Sequence, residues 1–265
     1  MIDTHCHLTY PGLVDRLDDV FAGAAADGVH GMISVGTSPD DAAQAAAIAE
    51  HQTTPGRHIW WTAGLHPGHA QEAENLEHLQ HALRGLLRRP RCVAIGECGL
   101  DKHYPDPPLD LQRPVFEAQL SLAGEPDFNH LPVVIHNREA TDDTLAVLEA
   151  SGLPGERFVF HCFTGGADEL DRILTFGAMV SFTGIVTFNS ARDLADASDR
   201  VPLERLMLET DAPYLTPAPH RKVRPNEPRY SAVVGDFLAH RRSMAPAELK
   251  AVCDQNAERF FRLGD

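Results

Sequence analysis

Short apolar runs alternate with helix-like segments along the whole chain. Eight such runs can be counted: MIDTHCHL (1–8), VHGMISVG (29–36), IWWTAGLHP (59–67), CVAIGECGL (92–100), LPVVIHNR (131–138), RFVFHCFTG (157–165), AMVSFTGIVTF (178–188) and LMLETDAPYL (206–215). Runs of this length and character are typical of strands in a parallel sheet, which are buried on both faces.

Between the runs, apolar residues recur at the three- and four-residue spacing of a helix with one buried face. The helical segments are 13–24, 40–50, 76–87, 115–122, 142–148, 169–176, a weaker one at 190–197, and two after the last run at 231–242 and 247–261. This alternation predicts an α/β fold, a (β/α)8 TIM-type barrel. Since no linker or repeat divides the chain, we expect residues 1–265 to form a single domain.

Polar residues of the kinds that bind metal recur at the ends of these runs. Active sites of such barrels lie at the carboxyl ends of the strands, so these side chains should meet at one mouth. Asp3, His5 and His7 should share a face of the first strand, because side chains alternate along a strand. Singly, each residue could be a buried histidine or a capping carboxylate. Their conjunction predicts a metal site, and the candidates are His5, His7, His66, Glu97, His136, His161, Glu209 and Asp211.

The number of candidate ligands indicates two divalent ions. Mixed imidazole and carboxylate ligands suit Zn, Mn, Ni or Fe, whereas Mg fits less readily because it prefers oxygen. Glu97 fits the bridging position, since its two oxygens can be shared between the ions. Such a pair would lower the pKa of a shared water to near ~7 and supply hydroxide at neutral pH.

Charge and composition narrow the range of partners. The chain has 23 Lys and Arg against 38 Asp and Glu, a formal charge of −15. A broad basic face for nucleic acid is thereby excluded, and an anionic substrate would need metal ions or a small basic cluster. The sequence contains no apolar window long enough for a membrane span and does not start like a signal peptide, so we expect a cytoplasmic protein. Five cysteines without regular spacing argue against a disulfide framework.

Several motifs, taken together, resemble the TatD family of metal-dependent hydrolases and deoxyribonucleases, within the amidohydrolase-like barrel superfamily. They follow the family's order and span nearly the whole chain: DTHCHL (3–8), GLHP (64–67), AIGECGLD (94–101), LPVVIHNREA (131–140), HCFTGG (161–166), SFTGIVTF (181–188), ETDAPYLTP (209–217) and PNEP (225–228). The resemblance implies a barrel enzyme that removes nucleotides from DNA ends and prefers single strands.

The resemblance also implies a role for each candidate residue. His66 would touch the scissile phosphate or the leaving oxygen, and Asp211 would take the proton from the attacking water. The two ions would share Glu97, and the implied ligand sets are His5, His7, Glu97 and Asp211 for one ion and Glu97, His136 and His161 for the other.

Substrate contacts are expected from basic and aromatic residues near the mouth. Arg138 is a candidate for binding a phosphate oxygen, although it could equally cap the next helix or pair with Glu139. The loop HRKVRPNEP (220–228) departs from the family pattern, and its basic residues, which would attract phosphate, are Arg221, Lys222 and Arg224. Three aromatic residues lie where a base could stack, namely Phe163, Phe188 and Tyr214.

Two other functions compete with the nuclease. The same metal pair could hydrolyse an amide, ester or lactone, because the attack chemistry is similar. A non-catalytic barrel would be expected to lack ligands, and none is missing from this sequence. The sequence leaves open the native metal, the direction of digestion, a preference for RNA or damaged DNA, and the oligomeric state.

Overall fold

Eight parallel strands, hydrogen-bonded in chain order, form the centre of the molecule. The computed structural model describes residues 1–73 and 75–264. The barrel closes where Cys6 pairs with Ala212 beyond the last strand. The strands are β1 (Ile2–Cys6), β2 (Gly31–Val35), β3 (His58–Ala63), β4 (Cys92–Asp101), β5 (Val133–Arg138), β6 (Phe158–Phe160), β7 (Met179–Phe182) and β8 (Leu206–Leu208). The prediction of a (β/α)8 barrel is confirmed.

Helices connect successive strands and cover the outside of the barrel. Their bounds are α1 (Pro11–Val14), α2 (Leu17–Ala26), α3 (Pro39–Gln52), α4 (Leu76–Leu87), α5 (Leu109–Gly124), α6 (Thr141–Ser151), α7 (Ala167–Phe176), α8 (Arg192–Ser198), α9 (Ser231–Arg241) and α10 (Pro246–Phe261). The first predicted helix is thus two helices. Within the described ranges 1–73 and 75–264, no helix is long and apolar enough to cross a membrane.

The strands separate two apolar clusters, as alternation along a strand requires. Trp60 packs in the inner cluster with Ile33 of β2, Val134 of β5 and Phe261 of α10. Trp61, the next residue, packs in the outer cluster beneath the helices. The interior of the barrel is therefore a packed core, and only the carboxyl ends of the strands are left for polar side chains.

Glycines in β4 let this strand approach β5 unusually closely. Gly99 has φ +150°, a conformation that L side chains rarely adopt, and an added Cβ there would lie 1.9 Å from the carbonyl oxygen of His136. Gly99 and His136 are in register in the sheet. The close approach places Glu97 and His136, one from each strand, beside each other at the carboxyl end.

The expected alternation fails at the start of β1. The register of β1 against β2 shifts between Asp3 and Cys6, as at a β-bulge. The Asp3 carboxylate accepts hydrogen bonds from the Thr210 N–H at 3.0 Å and the Thr210 hydroxyl at 2.6 Å, and from the His5 N–H at 3.3 Å. Asp3 therefore joins β1 to the segment after β8, and the expectation that it shares a face with His5 and His7 is wrong.

Gly99→Ala should lower the free energy of unfolding by about 3 kcal/mol or more, because the new methyl group collides with β5 and strains the backbone. Gly85→Ala in α4 is the matched control: an added Cβ meets nothing within 4 Å, and alanine favours a helix interior by ~0.5–1 kcal/mol. Thermal unfolding of both variants measures the difference. If Gly99→Ala proved as stable as the parent, the close approach of β4 and β5 would be disproved.

Candidate metal centre

Side chains from the ends of five strands surround the carboxylate of Glu97, which lies on a sixth strand, β4. Glu97 is only 2% exposed. Its Oε1 lies 2.7 Å from Nδ1 of His136 and 2.7 Å from Nε2 of His161. Its Oε2 lies 3.4 Å from Nε2 of His5, and Oε1 is 3.5 Å from Nε2 of His66. Glu97 is therefore the centre of the cluster.

Asp211 completes the cluster on the side of β1. Its Oδ1 lies 3.3 Å from Nε2 of His7 and 3.8 Å from Nε2 of His5. The Asp211 N–H donates to the carbonyl oxygen of His5 at 2.9 Å, which fixes the segment after β8 against β1. The structure thus brings together all six residues predicted as metal ligands, together with His66. Their roles remain predictions.

Two further carboxylates orient the histidines: Glu209, which was a candidate without an assigned position, and Asp101, which the sequence analysis missed. Oε2 of the fully buried Glu209 faces Nδ1 of His5 at 3.6 Å and Nδ1 of His161 at 3.8 Å. Oδ2 of Asp101 faces Nε2 of His136 at 3.0 Å. Each partner leaves the other ring nitrogen directed at Glu97, as outer partners of metal ligands do. The even spacing from Glu97 to Asp101 in one strand could have indicated Asp101.

His7 and His66 are oriented by the backbone. Nδ1 of His7 is 3.1 Å from the carbonyl oxygen of Val35, so Nε2 is free to face Asp211. Nδ1 of His66 accepts a hydrogen bond from the Gly68 N–H at 2.9 Å. The proton of a neutral His66 therefore belongs on Nε2, which points into the cluster.

Unpaired buried atoms show that the cluster fits a cation. Among residues 1–73 and 75–264, the buried atoms without a hydrogen-bond partner include both ring nitrogens of His5, Nδ1 of His161 and Oε2 of Glu209. Such atoms are costly unless something binds them. Three groups have candidate ligand atoms within 4.8 Å of one another: His5, His7 and Glu97; His5, His161 and Glu209; and His66, Glu97 and His136. This nitrogen and oxygen donor set suits divalent transition metals.

The ionisation of the cluster shows how protons substitute for a cation. Burial opposes the charge on Glu97, yet the histidines around it hold its pKa well below the usual value. Burial likewise opposes the charge on His7, but the hydrogen bond and charge of Asp211 raise its pKa to about 9. Burial, and then the charge of His136, lower the pKa of His66 to about 3. His66 is therefore neutral at neutral pH.

The two arginines predicted to contact phosphate, Arg138 and Arg221, each lie against an aromatic ring. The guanidinium carbon of Arg138 lies 5.1 Å from the centre of the Tyr104 ring. Pairing of Arg138 with Glu139 is not found among the described residues, since Glu139 contacts Nδ1 of His103 at 2.8 Å. Arg221 lies 3.8 Å from the centre of the Phe188 ring.

Of the three aromatic residues expected near the mouth, one is unavailable to a base. Phe163 is only 5% exposed, and its ring centre is 6.0 Å from that of Phe182. Phe188 is half-buried and covered by the guanidinium of Arg221. Tyr214 is 53% exposed. The expectation was therefore wrong for Phe163, because the segment after β6 turns inward.

The barrel and its ligand cluster define a class, the metal-dependent hydrolases of the TIM-barrel fold. The family model described as "TatD related DNase" matches residues 2–262. The chain belongs to the TatD family, and the family prediction is confirmed.

Relatives in the same family cover essentially the whole chain. "Uncharacterized metal-dependent hydrolase YabD" of Bacillus subtilis (strain 168) is 34% identical over 263 residues, 99% of this chain and 99% of that one. "3'-5' ssDNA/RNA exonuclease TatD" of Citrobacter rodentium (strain ICC168) is 38% identical over 270 residues, 98% of this chain and 97% of that one. The crystal structure of YjjV, a TatD homologue from Escherichia coli K12, matches with a TM-score of 0.88 at 31% identity, covering 100% of this chain and 98% of that one.

Glu209→Gln should weaken the binding of Mn²⁺ or Zn²⁺ about 10- to 100-fold, because it removes the charge that orients His5 and His161. Gln keeps the shape and can still accept from the Cys162 N–H. Glu258→Gln, on an exposed position of α10, is the control. Isothermal titration of each metal-free variant gives the affinities, and equal values for Glu209→Gln and the control would exclude an orienting role.

Proposed function

We propose that this protein is an exonuclease that hydrolyses phosphodiester bonds at an end of single-stranded DNA, with two divalent ions held in the Glu97 cluster. One observation carries the proposal: imidazoles and carboxylates from five strand ends surround the buried carboxylate of Glu97 and leave several polar atoms unpaired. The exonuclease named from Citrobacter rodentium, 38% identical over nearly the full length, supports the choice of substrate.

The residues divide between the two ions around Glu97. Oε2 of Glu97 faces His5, which lies beside His7 and Asp211, whereas Oε1 faces His136 and His161. Because its two oxygens face different histidines, Glu97 would be the ligand shared by both ions. Zn, Mn or Ni agrees best with the donor atoms, and Mg agrees less well. When bound, these ions supply Lewis acidity and activate water.

The chain's own residues position the phosphate and move protons. Burial opposes the charge on Asp211, but the hydrogen bond and the charge of His7 lower the pKa of its carboxyl group and keep it ionised. The ionised carboxylate accepts the proton of the attacking water. Neutral His66 donates a hydrogen bond from its Nε2–H to the leaving oxygen as negative charge develops there. Arg138 and Arg221 contact phosphate groups of the strand on either side of the mouth.

Hydrolysis of an amide, ester or lactone is not favoured as the function, because two relatives of this chain are named as ssDNA/RNA exonucleases. The proposal includes that the protein acts in the cytoplasm. The five free cysteine thiols agree with a reducing compartment.

Chelation or Glu97→Ala should abolish the release of nucleotides from an end-labelled single-stranded oligodeoxynucleotide. Both remove the centre of the cation site. Gel analysis of timed samples shows whether nucleotides leave one by one, and restoring Mn²⁺ or Zn²⁺ should revive the parent protein only. Phenyl acetate and a γ-lactone, assayed in parallel, test the alternative. Turnover of these two without oligonucleotide cleavage would refute the nuclease.

His66→Ala should lower kcat on the oligonucleotide about 10²- to 10³-fold, the usual contribution of one hydrogen-bond donor to a developing oxyanion. The loss should be much smaller on thymidine 5′-(4-nitrophenyl phosphate), because 4-nitrophenolate is a stable anion that needs little stabilisation as it departs. His69→Ala is the control, since His69 is exposed and contacts Glu72. An equal loss on both substrates would show that His66 does not stabilise the leaving oxygen.

A further inference from the structure

The exposed large apolar side chains are confined to one end of the barrel. In the described part of the chain, each of these side chains follows β1, β4 or β8, three strands whose carboxyl ends contribute to the metal-ligand cluster. The exposed residues are Tyr10, Val14, Tyr104, Leu111, Tyr214 and Val223. Single exposed apolar residues are ordinary. Three of the exposed residues are tyrosines in the connections around one site, Tyr10, Tyr104 and Tyr214, and their rings indicate a surface that binds flat groups.

Tyr214 and Tyr10 form a first aromatic station, beside the β1 side of the cluster. The ring centre of Tyr214 lies 6.3 Å from that of His7 and 6.3 Å from that of Tyr10, at interplanar angles of 67° and 64°. The backbone beneath Tyr214 is fixed, because the buried Asn226 side chain donates to the Tyr214 carbonyl oxygen at 2.5 Å. The Tyr214 side chain is nevertheless 53% exposed, so part of its ring is open to solvent although its backbone is held in place.

Tyr104 and Arg138 form a second station across the barrel mouth. Tyr104 is 57% exposed, and the guanidinium carbon of Arg138 lies 5.1 Å from its ring centre. The Tyr104 N–H donates to Oδ1 of Asp101 at 3.1 Å, and the other oxygen of this carboxylate contacts His136. The station is thus connected to the cluster. Because β4 lies several strands from β1 and β8 in the sheet, the ligand cluster lies between the two stations.

An unpaired nucleobase fits these stations better than other flat groups. The chain carries a formal charge of −15, so it repels a polyanion at long range and short-range contacts must contribute to binding. Base–aromatic stacking corresponds to roughly 5- to 150-fold in affinity for each base and does not depend on sequence. A paired base keeps its faces within the duplex and cannot use such a station.

We infer that Tyr214 with Tyr10, and Tyr104 with Arg138, are two stacking sites that hold unpaired bases on opposite sides of the scissile phosphate. The inference rests on the proposed nuclease function and adds the reason for single-strand preference. One station holds the base of the departing nucleotide, and the other holds a base of the strand that remains.

The test compares Tyr214→Ala and Tyr104→Ala with Tyr214→Phe and Leu111→Ala. Phe keeps the ring, and Leu111 is equally exposed on the same end without a ring. Two substrates are used: a labelled (dT)8, and an octamer of the same backbone whose residues are abasic. Each tyrosine-to-alanine change should raise KM for (dT)8 about 5- to 150-fold with little change in kcat, and leave KM for the abasic octamer unchanged. Tyr214→Phe and Leu111→Ala should behave as the parent.

Binding measured without turnover separates this inference from the proposed function. Fluorescence anisotropy of fluorescein-labelled (dT)8 with metal-free protein should show the same loss of affinity in the alanine variants. If the parent cleaves neither octamer, the nuclease proposal fails, and the anisotropy series still decides whether the stations bind bases. If the parent cleaves (dT)8 and the alanine variants keep its KM and its affinity, the stacking sites are refuted.

Discussion

The buried negative charge of Glu97 is the constraint on which the site depends. Among the described residues no Lys or Arg forms a salt bridge with it; its partners are imidazoles of His5, His66, His136 and His161. A carboxylate removed from water costs several kcal/mol unless a positive charge accompanies it. In the metal-free protein that charge comes from imidazole protons, and bound cations would displace those protons. Both the stability of the fold and the affinity for metal therefore depend on how the buried charge of Glu97 is neutralised.

The backbone of the barrel holds the groups that surround this charge. Gly99 allows β4 to touch β5, so that Glu97 and His136 come within 2.7 Å. Asp3, through its bonds to Thr210, holds β1 against the segment that carries Asp211. Asp3 is fully buried, and this burial raises the pKa of its carboxyl group well above the usual value. The hydrogen bonds between Asp3 and Thr210 are therefore shielded from solvent. Residues that never reach the cluster thus determine its dimensions.

The sequence predicted the barrel because buried parallel strands produce short apolar runs, and helices between them have their own spacing. It predicted the ligand types because strand ends of a barrel meet at one mouth. It did not predict the bulge in β1, which depends on pairing with β2, or the start of α5 at Leu109, ahead of Pro114. Glu209 was visible as a residue type, but its role is set by distances across the barrel to His5 and His161, which linear order does not contain.

An acidic protein that acts on a polyanion must recognise it at short range. Repulsion from a chain of charge −15 is screened beyond about 8 Å at physiological ionic strength. Inside that distance, under the proposed function, the substrate would meet cations in the Glu97 cluster, the guanidinium of Arg138 and the exposed ring of Tyr214. Charge and stacking then act on different parts of one nucleotide, the phosphate and the base. Duplex DNA would offer only the phosphate to such a site, so the proposed stacking sites and the acidity of the surface would both favour an unpaired strand end.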